Sequence, residues 1–153
     1  MKKILILFVA LFSLISCEVG EETNIQQDTS FSNDPAAGKV YGTNFTFVGG
    51  YANNIVISDI QKLDIYLSNQ NLNCSNSDLP FPIYISSPKA IGIHTTNVSV
   101  KFRNISNTDF VTTATGVRVQ ITSITGSVVK GKIRAAVSAN NTINGTFEVP
   151  ICD

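Results

Sequence analysis

The chain has 153 residues, with eleven basic and eleven acidic side chains, one histidine and no tryptophan. That length allows one domain with short flanks, and a single histidine excludes the usual multi-histidine metal centres. The zero formal charge is an average over unlike segments, because acids and bases are distributed unevenly along the chain.

The N-terminus reads MKKILILFVALFSLISCEVGEE. Lys2 and Lys3 precede a run of twelve residues, Ile4 to Ile15, apolar apart from Ser13. A bilayer-spanning helix needs about 20 apolar residues, at about 1.5 Å of rise each. The run is too short to span and fits a secretory signal peptide over residues 1–16. It ends in Leu14-Ile15-Ser16-Cys17. These four residues resemble a bacterial lipobox: aliphatic, tolerant, small, cysteine. The resemblance implies that cleavage leaves Cys17 as the new N-terminus, acylated on sulfur with palmitate-type chains. It also implies anchorage at the outer membrane. A single acyl chain binds only marginally, whereas the diacylglycerol expected on such a cysteine is a sufficient anchor.

Glu18 to Ala37, EVGEETNIQQDTSFSNDPAA, carries five acids and no bases and shows no hydrophobic period. Together with Cys17 it reads as a polar tether, residues 17–37, too hydrophilic to build a core. As a flexible coil it spans roughly 25 Å root-mean-square. An acidic stretch directly after the lipobox cysteine resembles the export signals of small Bacteroidetes surface lipoproteins. That resemblance implies display at the cell surface. It rests on the lipobox and the tether, not on the body of the protein.

From Gly38 to Asp153 the composition changes, to nine bases against six acids. Val, Ile, Thr, Phe and Tyr dominate in short alternating runs broken by Asn, Ser, Gly and Pro, the pattern of half-buried strands. Tyr41, Thr43, Phe45 and Phe47 fall on one face of a first strand. Ile55 and Ile57 mark a second. Leu63, Ile65 and Leu67 alternate with Lys62, Asp64 and Tyr66 in a third. Asn69 to Asp78 is a polar loop holding Cys74. Phe81 to Ile85 is expected as an edge strand because of Pro80 and Pro82. Ala90 to Thr95 is a short strand. Val98, Val100 and Phe102 alternate with Ser99, Lys101 and Arg103. Val117, Val119 and Ile121 alternate with Arg118, Gln120 and Thr122. Val129, Ile133, Ala135 and Val137 oppose Lys130, Lys132 and Arg134. Ile143, Gly145, Phe147 and Val149 alternate with Asn144, Thr146 and Glu148, after a hairpin turn at residues 138–142. The sum is an all-β body of about eight to ten short strands, an antiparallel β-sandwich or partly open barrel at residues 38–153. The last three strands should form a meander.

With Cys17 acylated, Cys74 and Cys152 remain. An even pair in an exported chain suggests a disulfide.

Little in the sequence carries chemistry. His94 has no cysteine or histidine neighbour at metal-ligand spacing, and no G-x-S-x-G elbow exists for a serine nucleophile. The body's acids are few and sit in turns or on outward positions, which does not suggest paired catalytic carboxylates. The 69–78 loop offers one carboxylate, Asp78, too little charge for calcium. Tyr51, Tyr66 and Tyr84 are candidates for stacking a sugar ring. The pattern with most content is basic: Lys101, Arg103, Arg118, Lys130, Lys132 and Arg134 all fall on the polar side of their strands. If those strands share a sheet, their side chains share a face able to attract an anionic surface such as an acidic glycan or the chain's own tether. The expectation is a non-catalytic envelope lipoprotein, a binding or structural module. Its partners would be the membrane through Cys17 and an anionic glycan or envelope protein, with no nucleic acid and no cofactor. The alternatives are an envelope hydrolase with a dispersed site, or a subunit of a surface complex.

Overall fold

The computed structural model describes residues 30–107 and 111–152. The expected signal peptide, Cys17 and most of the expected tether lie outside the described residues. Eleven strands follow one another: β1 (Ala37–Val40), β2 (Thr43–Thr46), β3 (Gly49–Ile57), β4 (Ile60–Ser68), β5 (Ile83–Pro88), β6 (Gly92–His94), β7 (Ser99–Arg103), β8 (Val111–Thr113), β9 (Thr115–Thr125), β10 (Val128–Ser138) and β11 (Asn141–Cys152). A short 3-10 turn, Cys74–Asn76, is the only helical element among the described residues.

The strands hydrogen-bond in the order β6-β9-β10-β11-β3-β4-β5-β7-β8, with β1 and β2 added beside β11. The ribbon is not closed. It folds at β11 into two facing layers. One holds β6, β9, β10, β11, β1 and β2, and the other holds β3, β4, β5, β7 and β8. Every strand pair is antiparallel except β11 with β3, where Ile151 and Cys152 run parallel to Ala52 and Asn53. The fold is therefore an all-β sandwich with a mixed sheet.

The alternation in the sequence explains the layers. Val119, Ile121, Ile133, Ile143, Phe147 and Val149 from the first layer and Leu63, Ile65, Leu67, Ile85, Val100 and Phe102 from the second form one buried cluster. Each strand thus turns one set of side chains inward and leaves the intervening set to solvent. The β9–β10–β11 meander forms as its short connections require.

Four local expectations are corrected. Tyr41 does not lie in a strand. It and Gly42 both have positive φ, 48° and 82°, and make a two-residue turn between β1 and β2. Its side chain continues the period of Thr43, Phe45 and Phe47, which disguises the turn. Instead Tyr41 N–H donates to Asn141 Oδ1 (2.8 Å), and its hydroxyl shares a 2.8 Å hydrogen bond with Thr112 of β8, linking the edges of the two layers. The strand expected at Phe81 starts at Ile83, beyond Pro80 and Pro82, and its one proline, Pro88, is its last residue, so β5 lies between β4 and β7, not at an edge. Val137 is exposed, not buried, because the β10–β11 register shifts between Ala136 and Ser138. The basic strands do not lie in one layer, as described below.

The residues before β1 also belong to the body. Ala36 is fully buried. Thr146 N–H donates to Asp34 O (2.8 Å), Ala36 N–H donates to Thr146 O (2.9 Å), and Ser32 N–H donates to Asn144 Oδ1 (3.0 Å). This strap crosses β11 at Gly145, whose φ is +141°, and a Cβ there would meet Ala36 Cα at 2.6 Å and Asp34 O at 2.7 Å. The position therefore excludes any side chain on two counts, backbone conformation and space.

Cys74 and Cys152 are joined, with Cα atoms 5.6 Å apart and a sequence separation of 78. The link fixes the end of β11 to the 69–78 loop.

Gly145→Ala should destabilise the fold by about 3 kcal/mol, read as a lower urea midpoint, with the strap released first in hydrogen exchange. Replacing both Cys74 and Cys152 by serine should cost about 4 kcal/mol, since the unfolded chain regains the freedom of a long loop.

Candidate functional site

The six bases singled out by the sequence divide between two faces. Arg118 on β9 and Lys130, Lys132 and Arg134 on β10 stand on the outer side of the first layer, where Arg134 pairs in register with Arg118. Lys101 and Arg103 lie on β7, between β5 and β8 in the second layer. Alternation correctly put each base on the polar side of its strand, but strand pairing separated the two groups.

The first group is largely engaged by the chain itself. Lys130 forms an ion pair with Glu148 at 2.9 Å. Lys132 Nζ donates to Asn33 Oδ1 at 2.6 Å, and Arg134 donates to Ser30 O at 3.0 Å. Arg118 lies over the ring of Phe31, 5.3 Å from its centroid. All three strap contacts involve the last part of the segment read as a tether. Of the two targets expected for this face, an external anion or the chain's own tether, the described contacts are with the last residues of the tether segment.

On the second layer, strand register places Tyr51, Tyr66, Tyr84 and Lys101 in one cross-strand row over β3, β4, β5 and β7. Tyr51 and Tyr66 stack at 4.6 Å with 22° between their planes, Tyr66 and Tyr84 are 5.5 Å apart, and Phe81 meets Tyr66 edge-on at 4.8 Å. Lys101 Nζ lies 5.5 Å from the centre of the Tyr84 ring. Tyr51 and Tyr66 cover one another's faces and Phe81 packs edge-on against Tyr66, so little of these rings is left as an open platform for sugar stacking. Its tyrosines are correspondingly hard to ionise. Burial, then the hydrogen bond and charge of Asp64, push Tyr84 up to about 12. Burial raises Tyr66 too, with Asp64 and Tyr51 adding to it, and burial and Asp78 raise Tyr51.

The other candidates have local roles. His94 Nε2 lies 2.8 Å from Ala90 O, within its own turn. The 69–78 loop uses its amides on itself: Asn73 Oδ1 accepts from Ser75 N–H, Asn76 Oδ1 accepts from Asn73 N–H, and Asn76 Nδ2 donates to Asn71 O. Among the described residues no three His, Cys, Asp or Glu side chains gather as a metal site would require.

A cleft that periodicity could not reveal opens at one end of the sandwich. It measures about 370 Å³ and lies between the β1–β2 turn and the segments flanking β5 and β7. Phe45, Val40, Pro82 and Ile105 supply apolar surface, Asn44 and Asn69 supply amides, and Arg103 supplies the charge. A second hollow of about 320 Å³, lined by Asp78, Leu79, Pro80 and Phe81, adjoins it, and Arg103 and Ile105 border both. Arg103 ends β7. Its N–H donates to Pro82 O (2.8 Å), and its guanidinium carbon lies 4.8 Å from the centre of the Phe81 ring. The one ion pair among the described residues is Lys130–Glu148, so no described carboxylate neutralises Arg103.

No known family, curated protein or solved structure matches the chain.

Because the folded state raises the tyrosine pKa values, it binds protons more tightly than the unfolded chain. Their contribution to stability is therefore complete below pH 10 and is lost as the pH rises from 10 through about 12. Spectroscopic titration of phenolate absorbance should show a step near pH 12 that disappears in Tyr84→Phe and moves down in Asp64→Asn.

Proposed function

We propose that this chain is a lipoprotein of the cell envelope, anchored to the outer membrane by lipid on Cys17. It presents a non-catalytic β-sandwich as a binding module on the outer side. The observation that carries this reading is the Cys74–Cys152 crosslink. Disulfides persist in oxidising compartments and are rare in the cytosol. A crosslinked body therefore suits an exported chain, as the apolar N-terminus and its Leu14-Ile15-Ser16-Cys17 ending lead one to expect.

The strap supports the mechanical half of the proposal. A body that is to be held at a membrane needs a defined exit for its tether. Here that exit is fixed by backbone hydrogen bonds between Asp34, Ala36 and Thr146 and by side-chain bonds from Lys132 and Arg134. Tension on the tether is thereby delivered to β11, which is paired to β10 and tied at its far end by Cys152.

Mass spectrometry of the membrane fraction should find the mature chain beginning at a diacylglyceryl-modified Cys17. Cys17→Ser should block processing and remove the protein from the lipid-anchored pool. Unmodified Cys17 on a protein free in the cytosol would overturn the proposal.

A further inference from the structure

We infer that the cleft at Arg103 is a binding site for an acidic sugar, one that presents a carboxylate to the guanidinium and an apolar ring face to Pro82 and Ile105. Three observations lead there. The cleft, at about 370 Å³, is large enough for a monosaccharide unit with part of its neighbour. Its lining combines the surfaces a pyranose needs: Phe45, Pro82 and Ile105 for carbon–hydrogen faces, and the Asn44 and Asn69 amides for hydroxyls. Its charge is a guanidinium that makes no ion pair with any described carboxylate. The guanidinium carbon lies over the Phe81 ring, 4.8 Å from its centroid, and Arg103 N–H donates to Pro82 O.

An arginine held on an aromatic face keeps its planar array of N–H donors for a ligand lying in that plane. A carboxylate matches the array with two parallel hydrogen bonds, shorter and stronger than bonds to neutral oxygens. Asp78 borders the adjoining hollow but makes no ion pair with Arg103, so among the described residues no carboxylate takes the array. Lys101, on the same face of β7, adds positive potential along the approach. The bases of β9 and β10 do not form this site, because they face outward from the opposite layer, where Lys132 and Arg134 hold the strap and Lys130 pairs with Glu148.

The inference rests on the binding-module reading, but its test needs only the purified chain, so failure here leaves the anchor and the location untouched. Isothermal titration and amide-shift mapping would compare trigalacturonic acid with neutral galactotriose. The acidic trisaccharide should bind and shift Asn44, Asn69, Arg103 and Ile105, with the neutral one at least tenfold weaker. Arg103→Met should lose at least tenfold in affinity for the acid while leaving the thermal midpoint within a few degrees. Arg103→Lys should recover part of the binding, since it keeps the charge without the planar fork. Asn69→Ala, outside the strands, gives an independent check and should weaken both sugars. Equal affinity for acidic and neutral sugars, no binding of the acid, or unchanged binding in Arg103→Met would each overturn the inference.

Discussion

The fold depends on the pairing of β11. This twelve-residue strand hydrogen-bonds to β10 along its length, to β1 near its start and to β3 at its end. It is the one strand shared by both layers, so the core closes only if β11 holds its course. Side chains at alternate positions from Ile143 to Ile151 point inward and fill the space between the layers. Burying them removes apolar surface from water at roughly 25 cal/mol per Å², the largest favourable term available to an all-β body of this size. The sole gap in that inward series is Gly145, where the strap lies in place of a side chain. The disulfide then secures the strand's last residue, the position where a parallel pairing of only two residues would otherwise fray.

The same strand joins the sandwich to the segment that precedes β1. The strap reaches the body through Thr146 and Asn144, and Lys132 and Arg134 of β10 hold its outer side. These two bases therefore have a structural task, and they stand two residues apart because β10 turns every second residue outward. Exposed polar contacts of this kind contribute little individually. Their value lies in fixing where the chain leaves the sandwich.

The open end of the molecule has the opposite character. The β1–β2 turn and the end of β7 meet there without complete closure, bridged by the Tyr41–Thr112 hydrogen bond. An incomplete seam between two layers leaves a hollow with an apolar floor and loop-borne polar walls. Arg103 sits at that seam because β7 ends there, and Phe81 stacks on it because the chain turns past Pro80 and Pro82 before entering β5. The tyrosine row stiffens the adjoining face: rings stacked across strands contribute packing beyond their buried area.

The sequence by itself determined which residues of each strand face inward, as with Val119, Ile133 and Phe147, because side-chain direction alternates with a period of two whatever the partner strand is. It also determined the all-strand class, the meander of the last three strands and the pairing of Cys74 with Cys152, the only two cysteines in the body. Local signals failed where a turn preserved the alternation, as at Tyr41, or where a register shift broke it, as at Val137. The tertiary structure alone decided which strands became neighbours, because long-range hydrogen bonding is set by the packing of the whole core and leaves no local period. That is why Lys101 and Arg103 were separated from Arg118, Lys130, Lys132 and Arg134, and why the Arg103 cleft, assembled from segments as distant as Val40 and Ser106, has no trace in any single stretch of the chain.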